Sequence, residues 1–81
     1  MRYQCTPSTD LHELIGKDSA EGFCYGPLSA ALMNNEELVL EGSHILPLTL
    51  IVKINSVLRG LFIVETEEIL RAQSGFRLVL D

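Results

Sequence analysis

Glu36-Glu37-Leu38-Val39-Leu40-Glu41-Gly42-Ser43-His44-Ile45-Leu46-Pro47 is the stretch on which the reading of this 81-residue chain turns. Leu38, Val39 and Leu40 form an unbroken apolar run, Glu41 closes it, and Gly42 and Ser43 punctuate before Pro47 opens a helix. A run without polar alternation suits a strand covered on both faces, as in a parallel sheet with helices above and below. An acid at the carboxyl tip of such a strand lies where open α/β sheets present ligand-facing groups.

Arg2 to Cys5 reads as a first strand and Thr6 to Asp10 as a turn or helix entry, since Pro, Ser and Asp favour local turns. Leu11, Leu14 and Ile15 mark a short helical turn that Gly16 ends. Lys17 to Gly26 is polar and Gly-rich, a loop in which Phe23 to Tyr25 is extended at most. Pro27 suits the first position of a helix whose Leu28, Ala31 and Leu32 share one face, and Asn34 and Asn35 tolerate the left-handed conformation that ends it.

The longest helix runs from about Pro47 to Arg59, with proline at its start and Gly60 just past its end. It carries two apolar stripes, one of Leu50, Ile54, Val57 and Leu61 and another of Leu48, Ile51, Val52 and Leu58. A surface helix of a small monomer needs only one. Leu61 to Gln73 reads as a hairpin turning at Glu65-Thr66-Glu67-Glu68, and Phe76 to Leu80 as a closing buried strand. The expected fold is therefore α/β: a small parallel sheet of Arg2–Cys5, Leu38–Glu41 and Phe76–Leu80, with crossover helices and a β-hairpin.

Five segments together resemble one family. Thr6-Pro7-Ser8-Thr9-Asp10 followed by Glu13-Leu14-Ile15-Gly16 is similar to a T-x-x-x-D-L-I-G stretch, and Gly26-Pro27-Leu28 with Ala31-Leu32 to a D-G-P-L-x-x-A-L helix start. Leu38 to Gly42 resembles a second nucleotide motif (Walker B), Ile54-Asn55-Ser56-Val57-Leu58 an L-N-S-V-L helix, and Gly75-Phe76-Arg77-Leu78-Val79 a P-G-F-R-L strand. These are the motifs, in order and spacing, of AAA+ ATPases in the branch of dynein-related midasin and the MoxR-like activators of nitric oxide reductase and Rubisco.

The resemblance implies that residues 1–81 form a single domain, the middle of an AAA+ core from its second strand to its sensor strand, with Leu38–Glu41 between the other two strands. It also implies a defect. The family cradles ATP phosphates on a loop ending G-K-[ST], and the chain has no such sequence. Glu41 stands where the magnesium-binding Asp is expected, and Gly42 where the water-positioning Glu is expected. The family's hairpin turns on a glycine, for which Glu67 or Glu68 stands here. No cofactor is expected, ATP and magnesium binding by the isolated chain least of all, and no catalytic residue is assigned.

Composition sets further bounds. A chain of 81 residues, 47% hydrophobic, makes one small domain that buries only about 60–65% of its unfolded surface, so association would help it. A net charge of −5 with six scattered basic residues argues against nucleic acid. Ile45 to Val64 is long enough to span a bilayer, but Lys53, Asn55 and Arg59 interrupt it and each central charge costs about 3 kcal/mol, so no membrane span is expected. Two cysteines without a secretory signal point to free thiols in the cytoplasm.

Cys5, His12, Cys24 and His44 have the residue types of a structural zinc site, without any C-x2-C or H-x3-H pair. Glu65, Glu67 and Glu68 make an acidic tip suited to solvent. Two function classes follow: a non-hydrolysing AAA+-like domain acting by association with itself as a homodimer or with a complete AAA+ subunit, and a small metal- or thiol-dependent domain using those four residues. For the first, Leu48, Ile51 and Val52 are the expected interface, because large aliphatics one turn apart on an outward face make an apolar patch.

Overall fold

The computed structural model describes residues 1–81. Its organising strand is β4 (Glu37–Glu41), in which Leu38 and Leu40 are fully buried and Val39 nearly so. Burial of three consecutive side chains means that both faces are covered, which is what the unbroken run demands. β4 lies between β1 (Arg2–Gln4) and β7 (Arg77–Leu80), and both pair with it in parallel. The register sets Arg2 beside Val39 on one side and Leu78 beside Leu38 on the other. The middle position expected for Leu38–Glu41 is the one it occupies.

Three helices follow local signals. Asp10 caps α1 (Leu11–Ile15), its carboxylate accepting the Glu13 N–H at 2.8 Å. α2 (Pro27–Asn34) starts with Pro27 at its first turn, where a missing N–H costs nothing. It ends at Asn35 in the left-handed region, with the Asn35 N–H reaching back to the Ala31 and Leu32 carbonyls. Buried Ser29 of α2 donates to the Ile15 carbonyl at 2.6 Å, tying α2 to the end of α1.

α3 (Leu48–Val57) is shorter than the expected Pro47 to Arg59. Pro47 is the extended residue before the helix, and its carbonyl accepts the Leu50 and Ile51 N–H groups; Leu58 caps the other end. Arg59 and Gly60 fall in a tight turn whose N–H groups bond Ser56 and Val57. One apolar stripe of α3 is the core stripe, with Leu50 and Ile54 buried, Val57 half-buried and Leu61 buried just beyond. These residues join Cys5, Leu14, Leu28, Ala31, Leu32, Leu38, Leu40, Leu46 and Ile63 in one cluster. Each fully buried Leu or Ile in it contributes roughly 1.5–3 kcal/mol.

The polar stretch from Lys17 to Gly26 is not a loop. It is an antiparallel hairpin of β2 (Gly16–Ser19) and β3 (Gly22–Tyr25), with Lys17 opposite Cys24 and Asp18 opposite Phe23. Backbone bonds and the Ser19 hydroxyl, which donates to the Gly22 carbonyl at 2.6 Å, close it; little apolar surface is involved beyond the half-buried Phe23 ring. The second hairpin is β5 (Leu61–Ile63) against β6 (Glu68–Leu70). Its turn is Val64 to Glu67, one residue earlier than expected, and Glu67 adopts φ +57, a left-handed conformation that favours glycine. Two strand boundaries also move: Cys5 follows β1 yet still donates to the Glu41 carbonyl, and Phe76 turns back to the Gln73 carbonyl ahead of β7. No helix is long and apolar enough to cross a membrane.

Candidate functional site

Parallel strands gather their carboxyl ends on one side, and there Gln4, Glu41 and Leu80 are neighbours in register or one step apart. Glu41 emerges half-buried and receives a hydrogen bond from the Arg2 guanidinium at 3.2 Å. Its carboxylate is thus engaged within its own chain, by a residue two positions back along the adjacent strand.

Gly42 then turns into the left-handed region at φ +73, and a Cβ there would lie 3.0 Å from the Gln4 side-chain amide. Any side chain at 42 would be both strained and crowded. The Gln4 amide donates to the Cys5 carbonyl at 3.2 Å, closing this corner with a polar lid. On the other side Ser43, buried at the start of a 3-10 turn (Ser43–Ile45), donates its N–H and its hydroxyl to the Asp81 carbonyl, each at 3.0 Å. The strand tips are locked together by backbone and short polar side chains. A crevice has no room to open between β4 and β7.

Beside this corner the turn after β1 holds a hydroxyl cluster. The Thr6 N–H donates to the buried Thr9 hydroxyl at 2.9 Å, and Thr6 Oγ1 lies 3.1 Å from the Ser8 hydroxyl. A small hollow of about 190 Å³ separates Thr9, Asp10 and Leu11 from Pro47, Thr49, Leu50 and Lys53. Burial raises the Tyr3 phenol and the Cys5 thiol above their ordinary values, so neither is poised to ionise near neutrality.

The four metal-candidate residues are dispersed by environment: Cys5 is buried behind β1, Cys24 is exposed on β3 with its sulfur 3.6 Å from the Ser19 hydroxyl, and His12 and His44 are exposed. No group of three or more His, Cys, Asp or Glu side chains converges anywhere. Cys5 and Cys24 are both free thiols.

Of the expected interface residues, Leu48 is 74% exposed and Val52 56% exposed, while Ile51 is half-buried and packs against the core. The patch is therefore narrower than the sequence implies, Ile51 serving the interior. Next to Val52, an open groove of about 440 Å³ runs past Asn55, Ser56 and Arg59 on the same helix.

A second apolar surface is absent from the sequence reading. Phe62 and Ile69 are cross-strand partners on the β5–β6 hairpin and both point to solvent, with Val64 exposed beside them. Its signal was available: Leu61-Phe62-Ile63-Val64 is apolar at consecutive positions, so one face of this hairpin had to be apolar outside the core. At the turn end of the hairpin the Tyr25 hydroxyl donates to the Glu68 carboxylate, linking β3 to β6. That bond lowers the Glu68 carboxyl and raises the Tyr25 phenol. Comparison with known protein families, characterised proteins and solved structures gives no match.

Proposed function

We propose that this chain is a degenerate AAA+-like domain that does not hydrolyse ATP and works by association, with a second copy of itself or with a complete ATPase. The observation that carries the reading is the parallel order β1-β4-β7, with the Leu38-Val39-Leu40-Glu41-Gly42 strand in the middle, as the resemblance requires. Gly42 adds support. The backbone there is left-handed and crowded by Gln4, so the position that would need a water-orienting carboxylate suits only glycine. Glu41, held by Arg2, is a poor ligand for magnesium without phosphates beside it.

Association is favoured by Leu48 and Val52, two large aliphatics one turn apart that the fold leaves exposed on α3. Covering them would contribute roughly 1.5–3 kcal/mol per side chain. The two free thiols suit the reducing cytoplasm in which such a domain would meet its partner. Calorimetry with ATP and magnesium is expected to show no micromolar binding, and a phosphate-release assay no turnover; either signal from the pure chain would sink the reading. Val52→Glu is expected to weaken association without loss of secondary structure by circular dichroism. Association that ignores this charge would remove α3 from the interface.

A further inference from the structure

The open edge of β7 carries its own instruction for a partner. In a parallel ladder both polar backbone groups of a residue point to the same neighbouring strand, and successive residues alternate between the two sides. Asp81 points to β4: its N–H donates to the Leu40 carbonyl at 3.1 Å and its carbonyl accepts from Ser43. Arg77 and Val79 share that parity and face β4 as well. Leu78 and Leu80 therefore turn their N–H and C=O groups to the open side, where no strand lies.

The side chains along this edge read Arg77-Leu78-Val79-Leu80-Asp81, which is symmetric in shape and antisymmetric in charge about Val79. From this we infer that β7 pairs antiparallel with β7 of a second copy of this chain, across a two-fold axis at Val79, to make one continuous six-stranded sheet. In that register Leu78 and the partner's Leu80 exchange both backbone hydrogen bonds, and the symmetric pair does the same, so the four outward-facing donors and acceptors of each strand are satisfied. Val79 meets the partner's Val79 at a non-hydrogen-bonded position, as it must, since its own polar groups are committed to β4.

The charges select the register. With the axis at Val79, Arg77 lies opposite the partner's Asp81 on the same face of the sheet, and this happens twice. Moving the axis to Leu78 would set Arg77 against the partner's Val79, and moving it to Leu80 would set Asp81 against the partner's Val79; either shift leaves the charges without partners. Leu80, 44% exposed in the single chain, is covered by the partner's Leu78. The opposite edge has no such pattern: the open-side residues of β1 are Arg2 and Gln4, polar and already engaged with Glu41 and the Cys5 carbonyl. An isologous pairing closes at two chains, with no unpaired β7 left over.

This inference is independent of the AAA+ reading and of the α3 patch. It is tested by cysteine cross-linking in a Cys24→Ser background, where the only native thiol left is the buried Cys5. Non-hydrogen-bonded antiparallel residues have Cα atoms about 4.5 Å apart, inside the range of a disulfide. Val79→Cys is expected to form a disulfide dimer on mild oxidation. Leu78→Cys alone is expected to remain monomeric on a non-reducing gel, because its own copy lies about 8 Å away, whereas a mixture of Leu78→Cys and Leu80→Cys chains should give the heterodimer. In sedimentation equilibrium, Arg77→Glu and Asp81→Arg should each weaken the dimer roughly tenfold by placing like charges opposite. The two together should restore it. Both positions are exposed, so these variants test the junction without disturbing the core. A monomer at the highest soluble concentration, failure of Val79→Cys to cross-link, or a double variant as weak as the singles would each overturn the inference. A dimer abolished by Val52→Glu while Val79→Cys stays uncross-linked would assign association to α3 alone.

Discussion

β1 and β7 flank the same strand in the same direction, yet only one of them is built as an edge. β1 is three residues long, its middle Tyr3 half-buried between exposed Arg2 and Gln4, and both polar side chains are bonded across to β4 or back to the main chain. Short length and polar side chains are the devices by which natural sheets discourage further pairing. β7 has four residues, Arg77-Leu78-Val79-Leu80, with three consecutive aliphatics and no proline, lysine or bulge to blunt it. Its composition is that of an interior strand in an edge position. Two strands with the same topology thus differ in how their composition suits an edge.

Both flanks lean on one side chain of β4. Leu40 is fully buried in β4 and pairs in register with Tyr3 on one side and Leu80 on the other. Leu40→Ala is expected to cost about 2–5 kcal/mol through lost burial and the cavity left behind. Chemical denaturation should show that loss in midpoint, with hydrogen-exchange protection falling in both flanks together; a midpoint unchanged within error would mean that β4 is not the shared support.

Next in size is a change confined to the β7 side. Gly75 donates its N–H to the Asn35 side chain at 2.9 Å, and a Cβ at this position would run into the Asn35 side-chain amide and its carbonyl. Gly75→Ala must therefore push the approach to β7 away from the end of α2, at about 1–3 kcal/mol. Hydrogen exchange is the sharper measurement. Protection should drop in β7 and persist in β1, and equal loss on both sides would show that the flanks are not separable.

On the β1 side the expected effect is smaller. The Arg2–Glu41 pair joins a guanidinium that is 69% exposed to a carboxylate that is 36% exposed, and solvent screens such a pair. Arg2→Ala should cost under about 1 kcal/mol, and less at high salt. A loss as large as that of Gly75→Ala would mean that Arg2 holds the strand in place rather than finishing its edge.

The smallest effect concerns neither flank. The Tyr25 hydroxyl bonded to the Glu68 carboxylate holds the Glu68 carboxyl below its ordinary value. A depressed carboxyl contributes stability that is present above its unfolded value and lost as pH falls through its folded value. The raised Tyr25 phenol works in the opposite sense: its contribution is present below the unfolded value, near 10, and is lost as pH rises through the folded one. The melting-temperature gap between the unmodified chain and Tyr25→Phe should therefore persist between these limits and close in acid and in strong base. A gap that stays open in acid would assign the Tyr25 effect to packing instead.

How far the chain could be read depended on how local each signal was. The β4 run, the Pro27 start and the Asn35 stop are sequence features whose physics acts within a few residues, and each stands where expected. The β2–β3 hairpin was hidden because Gly16-Lys17-Asp18-Ser19 has no apolar alternation and three of its four residues are exposed. Its pairing is a matter of backbone bonds. Glu41 was legible as a strand-tip acid, but the arginine that neutralises it lies 39 residues earlier, and no periodicity links the two.

Read alone, the residues specify an α/β chain with a both-faces-buried central strand, a proline-led helix with surplus apolar surface, and an acid, Glu41, at the tip of that strand followed by glycine. These follow from side-chain chemistry and spacing, which are properties of short segments. Tertiary structure decided the rest: that Ile51 turns to the core while Leu48 and Val52 do not, that Gly42 sits left-handed against Gln4, and that β7 is left with one neighbour. Each depends on which distant segments meet. In so small a domain a single missing neighbour changes what a residue is for.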